Sequence, residues 1–267
     1  MNQHLAFIGG GNMAIAMLGG LRQRGFDAEH VTVIEPDASA RSRLQQRLGL
    51  RALAQPDATL QSAHMVVWAV KPQVMAQACA QARPFLADTP HLSIAAGVRS
   101  ESLAQWLGNQ RIVRAMPNTP ALVGRGISGV CARSAATEAD RHLADAVLSS
   151  FGEVLWLEDE SQLDVITALS GSGPAYVFYF MEAMTTAGIE MGLTREQSQR
   201  LAVSTVVGAG ALAAESGESP RVLRERVTSK GGTTAAALAV MEEEDLQATW
   251  INAIYAARER SQQLGQA

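Results

Sequence analysis

The sequence predicts an α/β protein in which a doubly wound parallel sheet is followed by an all-α domain. Two observations support this fold class. Short apolar runs alternate with helical patterns through the first half of the chain, which is typical of parallel strands joined by helices. After about residue 160 almost every segment has a helical pattern. We therefore predict one domain over residues 1–160 and a second over residues 161–267.

The predicted strands of the first domain share short buried apolar runs. They are Leu5–Ile8, Val31–Ile34, Met65–Ala69, His91–Ile94, Ile112–Ala115, Gly126–Ala132 and Glu153–Leu157. The helices predicted between them have apolar residues at helical spacing. They are Asn12–Arg24, Ala38–Leu48, Gln73–Phe85, Ser100–Leu107 and a helix opened by the capping box at Thr137.

Two segments of the second domain predict extensive burial. Ala175–Met181, the start of a helix predicted to extend to Met191, is apolar around the whole helix, and Ala202–Ala214 is nearly so. Such helices are buried on every side. They can pack on the first domain or on another copy of the chain, and we favour another copy because so small a domain cannot surround both helices.

Composition limits the possible functions. The 267 residues carry a net charge of −4, which gives no basic surface for nucleic acid. Cys79 and Cys131 have neither disulfide nor metal spacing, which favours a reducing compartment. We find no secretory signal and no membrane-spanning run. We therefore expect a cytoplasmic protein with no metal, nucleic-acid or membrane partner.

A glycine-rich turn follows the first predicted strand. Gly9–Ala14 has the pattern G-x-G-x-x-A and opens a helix, as in Rossmann-type dinucleotide sites. Glycine-rich turns also occur without a ligand, but Glu35 stands behind the next strand. Its carboxylate can accept from a ribose 2′-hydroxyl and would repel a 2′-phosphate. Arg41 and Arg43 are near enough in sequence to reach a phosphate, so NADH and NADPH both remain open.

Two further loops stand at the carboxyl ends of predicted strands, where such sheets bind ligands. Ala69–Gln73 contains Lys71, and Met116–Pro120 contains Asn118. Lys71 can be an ordinary surface charge. That interpretation is weakened because Lys71 and Lys230 are the only lysines in the chain.

The segment Val227–Thr234 combines four hydroxyl side chains, expected to act as donors, with two glycines, immediately before a run of strong helix formers. Free backbone N–H groups at a helix start, together with hydroxyl donors, form a site for a small anion. The same pattern is also that of a glycine-containing helix cap. A dinucleotide site elsewhere in the chain favours the anion, because a cofactor needs a substrate.

The chain resembles the Δ1-pyrroline-5-carboxylate reductase family, whose members complete proline biosynthesis. The resemblance extends essentially from end to end. It rests on five motifs: Phe7–Ala14, Ala69–Pro72, Met116–Pro120, Ser170–Tyr176 and Val227–Thr234.

The resemblance implies a Rossmann-type domain followed by an all-α dimerisation domain, with NADPH or NADH as cofactor. It implies a homodimer, with a larger ring such as a decamer as the further assembly. It assigns Ser229, Gly231, Gly232 and Thr233 to the substrate carboxylate, and Thr234 as the residue that donates to the ring nitrogen in catalysis. The cofactor residues it indicates, together with Glu35, are Ile8, Gly9, Gly10, Gly11, Asn12, Met13, Ala69, Val70, Lys71, Pro72 and Asn118.

Three residues depart from the family pattern. Lys230 stands where proline is usual, Glu35 replaces the Ser or Thr of many NADPH-preferring relatives, and Pro56 replaces a polar residue near the adenosine half. The last two weaken the case for NADPH. None of the three changes the expected reaction.

Two other functions compete with this one. Members of the β-hydroxyacid dehydrogenase family share a catalytic lysine on a helix of the second domain. The second-domain lysine of this chain, Lys230, lies in a loop, which argues against that family. A dinucleotide-binding sensor without catalytic activity would not need the hydroxyl-rich loop. An activity assay separates the sensor from the reductase.

Overall fold

The structure is a computed structural model that describes residues 3–265. Within this range the chain forms one eight-stranded sheet. The strands are β1 (Leu5–Ile8), β2 (Val31–Ile34), β3 (Ala52–Leu53), β4 (Met65–Trp68), β5 (His91–Ser93), β6 (Ile112–Met116), β7 (Gly126–Ala132) and β8 (Gly152–Trp156).

The strand order across the sheet is β3-β2-β1-β4-β5-β6-β7-β8. Strands β1 to β6 pair in parallel, β7 runs antiparallel to β6, and β8 runs parallel to β7. The direction of winding reverses between β1 and β4, which is the switch point where such sheets bind ligands. The predicted doubly wound sheet is confirmed.

Eleven α-helices accompany the sheet in the described range. They are α1 (Asn12–Gln23), α2 (Ala38–Leu48), α3 (Met75–Ala82), α4 (Ser100–Leu107), α5 (Glu138–Leu148), α6 (Gln162–Ile166), α7 (Gly173–Glu190), α8 (Arg195–Ser216), α9 (Pro220–Arg226), α10 (Thr233–Glu243) and α11 (Leu246–Leu264). A π-helical turn, Thr167–Gly171, joins α6 to α7. Short 3₁₀ turns complete the set at Ala28–His30, Ala58–Ser62, Pro72–Val74, Arg83–Phe85 and Thr119–Val123.

Side-chain caps fix several helix starts. Thr137 and Thr194 each accept from a backbone N–H three residues later and form the capping boxes of α5, which is predicted from the sequence, and of α8. The single helix predicted over Gln73–Phe85 is wrong at both ends. Pro72 opens the segment and Pro84 interrupts its last turn, so 3₁₀ turns flank a shorter α3.

The core lies on both faces of the sheet. Successive residues of a strand point to opposite faces, so Phe7 of β1 packs with Met17 of α1, while Ile8 packs in the cluster of Trp68 and Met75. All of these side chains are buried. The helices on either face therefore hold the strand ends in fixed positions.

Contacts divide the chain into two compact units. The first contains the described residues up to Ser172 and the final segment from Ala257, and the second is Gly173–Ala256. The final segment is held in the first unit by a buried carboxylate. Asp164 accepts from Ser261 Oγ and from Arg99 Nη2, both at 2.7 Å. The boundary predicted at residue 160 stays a prediction.

The second unit is helical and carries exposed apolar side chains. On α7, Phe178 and Tyr179 are 56% and 73% exposed, and on α8 Val207 is 60% exposed. Helices α7 and α8 pack together where Gly188 meets Ser198. Among the described residues, none of the helices has the length and apolar character needed to cross a membrane.

Burial of His91 makes stability depend on pH. Its Nδ1 atom lies 3.3 Å from Trp68 Nε1, which donates to it. Burial, followed by the charge of Arg111, lowers the pKa of His91 from 6.5 to about 4. Between these values the unfolded chain binds a proton that the folded chain does not, so stability falls as pH drops below 6.5.

We predict that His91 alone lowers the free energy of unfolding by about 2 kcal/mol between pH 7 and pH 5. Urea unfolding of His91→Gln at both pH values should show a correspondingly smaller loss than wild type. His142→Gln is the matched control, since His142 is exposed. Equal losses in wild type and His91→Gln would contradict the prediction.

Candidate functional site

The glycine-rich turn after β1 lies at the switch point of the sheet, where it meets the predicted cofactor residues of the loop after β4. Gly9 has φ +101°, and a Cβ there would lie 2.5 Å from the carbonyl oxygen of Ala69. Gly9 N donates to Ile34 O at 2.8 Å, and Ala69 N donates to Ile8 O at 2.8 Å. The turn after β1 is therefore fixed between the ends of β2 and β4, and only glycine fits.

The N-terminus of α1 is open to a ligand. Gly11 is the N-cap residue and supplies no side-chain cap, and the first turn of α1 contains no acidic residue. A Cβ at Gly11 would meet nothing within 4 Å. Uncapped N–H groups at the positive end of a helix bind a pyrophosphate. Asn12 is exposed and Met13 half-buried at this opening.

The two other predicted loops lie at the same edge of the sheet, because parallel strands end there together. Lys71 follows β4 and is exposed at the start of the turn Pro72–Val74. Asn118 follows β6, is mostly buried, and its Oδ1 accepts from Ile127 N at 3.0 Å. The 3₁₀ turn that begins after Asn118 packs against α1. This packing brings the Asn118 loop to the helix of the glycine turn.

The carboxylate of Glu35 is part of the same structure. Its Oε2 accepts from Gly10 N at 2.7 Å, and its Oε1 accepts from Asp37 N at 2.9 Å. Arg41 donates to the carbonyls of Glu35 and Pro36, and Arg43 donates to Ser39 Oγ. The two arginines predicted to reach a phosphate are thus engaged by the protein itself.

A cavity of about 230 Å³ opens beside the glycine turn. Most of its lining is apolar, with the amides of Gln77 and Gln81 at one side, and Pro56 contributes to the wall. Its mostly apolar lining suits an aromatic base. Its lining residues are Ile8, Gly9, Ile34, Pro36, Ala54, Pro56, Val70, Val74, Gln77, Ala78 and Gln81.

In the second unit, the hydroxyl-rich loop joins α9 to α10. Gly231 has φ +72°, and Gly232 is the N-cap residue of α10, which begins without a side-chain cap from it. The N–H groups of Thr233 and Thr234 therefore stand at a second open helix start, with Thr234 half-buried. Ser229 lies across the turn, since a Cβ at Gly232 would be 2.5 Å from its Oγ.

One hydroxyl of this loop does not belong to the site. Thr228 Oγ1 donates to the carbonyl of Arg224 at 2.6 Å and its N–H bonds to Glu225 O, so Thr228 closes the end of α9. The expectation of four hydroxyl donors is therefore wrong at Thr228. Three hydroxyls remain, on Ser229, Thr233 and Thr234.

The structure adds features that the sequence did not reveal. The loop after β5, residues 94–97, lies between the Lys71 and Asn118 loops because β5 lies between β4 and β6. Gly171 packs on Met116, where a Cβ would be 2.6 Å from Met116 Cε. The sequence predicts strand β5, so the position of the loop that follows it could have been predicted as well. No sequence signal indicates the contact between Gly171 and Met116, because these residues are far apart along the chain.

A doubly wound sheet with an open glycine turn at its switch point is the arrangement that binds dinucleotides in nicotinamide-dependent oxidoreductases. Residues 160–264 match the family model described as pyrroline-5-carboxylate reductase dimerisation. Residues 4–97 match the model described as NADP oxidoreductase, coenzyme F420-dependent. The two models together cover strands β1 to β5 of the sheet and the helical segment that follows the sheet.

Curated relatives match almost the whole chain. The pyrroline-5-carboxylate reductase of Pseudomonas aeruginosa is 42% identical, with 98% of this chain and 97% of that protein covered. The enzyme of Pisum sativum is 37% identical, with 97% and 95% covered. The chain belongs to the pyrroline-5-carboxylate reductase family.

Solved structures agree. A pyrroline-5-carboxylate reductase from Coxiella burnetii superimposes with a TM-score of 0.90 at 37% identity, covering 99% of each chain. The pyrroline carboxylate reductase of Plasmodium falciparum, solved with NADP bound, gives 0.88 at 29% identity, covering 99% of this chain and 98% of that one. The all-α segment after the sheet thus has the fold predicted from the resemblance.

Two glycine substitutions test the turn. Gly9→Ala should destabilise the protein by about 1–3 kcal/mol, because it forces a left-handed conformation and a clash with Ala69. Gly11→Ala should leave the melting temperature near wild type, because its Cβ has open space. It should still weaken dinucleotide binding by about tenfold or more, since that space lies at the open helix start. Calorimetric melting and titration with NADH and NADPH measure both effects.

Either of two results would contradict this account of the turn. One is a Gly9→Ala protein with wild-type stability. The other is a Gly11→Ala protein that binds both dinucleotides normally.

Proposed function

We propose that the chain reduces Δ1-pyrroline-5-carboxylate to L-proline by hydride transfer to C5, the final step of proline biosynthesis. The observation that supports this best is a pair of open helix starts. Helix α1 begins at Gly11 and α10 begins at Gly232, and neither glycine provides a side-chain cap. One start suits the pyrophosphate of a dinucleotide and the other suits a small carboxylate. Family membership supplies the identity of the substrate.

The cofactor is NADPH or NADH. We assign the pyrophosphate to the turn from Gly9 to Met13 and the adenosine to the adjacent apolar cavity. Glu35 stands at the ribose, since its carboxylate lies at the end of β2. Val70 of the Ala69–Pro72 loop lines that cavity, and we assign the rest of the loop and Asn118 to the nicotinamide, because their strands end on the other side of the switch point.

The substrate carboxylate is assigned to the start of α10. The backbone N–H groups of Gly231, Thr233 and Thr234 and the hydroxyls of Ser229 and Thr233 supply its donors, while Gly232 N donates to Ser229 O within the loop. Lys230 is exposed in the same loop and adds a positive charge that attracts an anion. The Thr234 hydroxyl hydrogen-bonds to the ring nitrogen: it donates to the neutral imine and accepts from the N–H of the protonated form, so it orients the ring in both states.

The reaction needs orientation more than acid catalysis. The protonated cyclic imine is already electrophilic at C5, and a reduced nicotinamide supplies the hydride. Since the nitrogen already carries one proton, hydride transfer gives the neutral secondary amine directly, and this amine takes its second proton from water to become proline. Holding C5 in line can lower the barrier by several kcal/mol, on the order expected for proximity and alignment.

We propose that the active form is a homodimer in which α7 and α8 are covered by a second copy. The aromatic side chains exposed on α7 form a larger apolar patch than the surface of a soluble monomer usually carries. In addition, residues 160–264 match the family's dimerisation model. A larger ring such as a decamer is the further assembly expected from the resemblance. We place the enzyme in the cytoplasm, where the free Cys79 and Cys131 stay reduced.

Steady-state kinetics test the reaction directly. The purified chain should oxidise NADH or NADPH in the presence of pyrroline-5-carboxylate and form proline in equal amount. A chain that binds a dinucleotide but produces no proline would instead be a sensor.

Thr234→Ala tests the catalytic assignment. We expect kcat/KM for pyrroline-5-carboxylate to fall by roughly tenfold to a few hundredfold, the effect of losing one hydrogen bond to a charged group. The Kd of the cofactor should barely change, because the dinucleotide contacts lie in the first unit. Thr228→Ala is the control in the same loop, and it should affect stability but keep normal kinetics. Normal kinetics with reduced melting temperature in Thr234→Ala would make Thr234 a structural residue only.

Val207→Glu tests the assembly. A charge at this exposed position of α8 should convert the dimer to monomer at micromolar concentration in light scattering, since burying an unpaired charge in an interface is strongly unfavourable. Val123→Glu, also highly exposed but in the first unit, should leave the mass unchanged. A wild-type protein that is a stable and active monomer would contradict the proposal.

A further inference from the structure

We infer that this enzyme prefers NADH, and that Glu35 and Asp37 together exclude the 2′-phosphate of NADPH. The inference rests on the proposed function, which leaves the cofactor as NADPH or NADH. It concerns the turn between β2 and α2, residues 35–37, where the adenosine ribose is assigned.

Glu35 is a preorganised acceptor. Each of its carboxylate oxygens accepts one backbone N–H, from Gly10 at 2.7 Å and from Asp37 at 2.9 Å. A carboxylate oxygen has about two acceptor positions, so each oxygen keeps one for a ligand. The 2′- and 3′-hydroxyls of a ribose can donate to these positions while both protein hydrogen bonds remain. Little conformational freedom is lost on binding, because the side chain is already held.

The 2′-phosphate of NADPH cannot use the acceptor positions of Glu35. It has no hydrogen to donate in its dianionic form, and it would lie against a carboxylate fixed by two N–H donors. Turning Glu35 away would break the hydrogen bond that ties the glycine turn to β2. The same side chain therefore organises the pyrophosphate turn and opposes the 2′-phosphate.

Asp37 removes the remaining site for a phosphate. A helix N-terminus is the natural anion site of such a turn, as in α1. The start of α2 is instead filled by the Asp37 carboxylate, which accepts from Ser39 N at 3.2 Å, Ser39 Oγ at 2.6 Å and Ala40 N at 3.0 Å. The positive end of α2 is thus neutralised by the chain itself, and a second negative charge stands beside the ribose position.

The neighbouring arginines are held away from this role. Arg41 Nη1 donates to the carbonyls of Glu35 at 2.9 Å and Pro36 at 2.7 Å. Arg43 donates to Ser39 Oγ at 3.1 Å and lies 4.0 Å from the Asp37 carboxylate. Binding a phosphate through Arg41 would break two hydrogen bonds. Arg43 is half exposed and its pair with the capping acid is weak, so binding a phosphate through Arg43 would separate that pair and place the phosphate beside the Asp37 carboxylate.

Binary binding of NADH and NADPH, followed by nicotinamide fluorescence at fixed ionic strength, tests this assignment without any substrate. The wild-type Kd for NADPH should exceed that for NADH by about tenfold or more, given like charges a few ångströms apart near the surface. Glu35→Gln keeps the shape, removes the charge and gives up one of the two backbone hydrogen bonds because an amide has a single oxygen, so the ratio should fall by about fivefold or more. Asp37→Asn keeps a good helix cap and should lower the ratio in the same direction.

Two controls define the alternatives. Glu153→Gln removes an exposed carboxylate on the distant strand β8 and should leave the ratio unchanged. Arg43→Ala should not weaken NADPH binding, whereas a loss of NADPH affinity there would show that Arg43 binds the phosphate and would overturn the inference. A wild-type preference for NADPH, or a ratio unchanged in both acidic-residue variants, would overturn it as well.

Failure of this inference and failure of the proposed reaction give different results. A chain that forms proline but prefers NADPH keeps the reaction and loses the inference. A chain with the expected binding ratio that never forms proline keeps the inference and loses the reaction.

Discussion

The backbone hydrogen bonds around Gly9 are the constraint on which the cofactor half of the site depends. Gly9 N bonds to the end of β2 and Ala69 N bonds to the end of β1, while the missing Cβ of Gly9 lets the Ala69 carbonyl approach. These contacts hold three strand ends at the switch point of the sheet. The open start of α1, the carboxylate of Glu35 and the apolar cavity take their positions from this one turn.

A contrast between helix starts explains where ligands are expected. Helices α2, α5 and α8 begin with Asp or Thr caps that satisfy their first N–H groups. The start of α4 is capped by a residue that is distant in the sequence: Ser100 N donates to the carboxylate of Glu160 at 2.7 Å. Helices α1 and α10 begin at glycines that offer no such group. Their free N–H groups leave donors for a pyrophosphate in the first unit and for a carboxylate in the second.

The sequence predicts the elements whose signals are local. Helix α2 has the predicted bounds because Asp37 caps its start and Gly49 adopts a left-handed conformation at its end, and α4 ends likewise at Gly108. Strand β3 was missed because Ala52–Leu53 is too short to show a pattern. Motif spacing placed the glycine turn, Glu35, Lys71 and Asn118 at one sheet edge. It could not show that Glu35 bonds to Gly10, or that Asp37 fills the start of α2, because side-chain hydrogen bonds of this kind depend on folded geometry.

Amide hydrogen exchange with each ligand tests the central claim most directly, namely that two separate open helix starts receive the two reactants. Adding NADH should slow exchange at residues 8–13 and 69–72, and adding proline in addition should slow exchange at residues 229–235, because bound anions occupy those N–H groups. The account would be contradicted if the dinucleotide left the exchange rates of residues 8–13 unchanged. Slower exchange would then be found around the separate cavity beside Trp156, between α5 and β8.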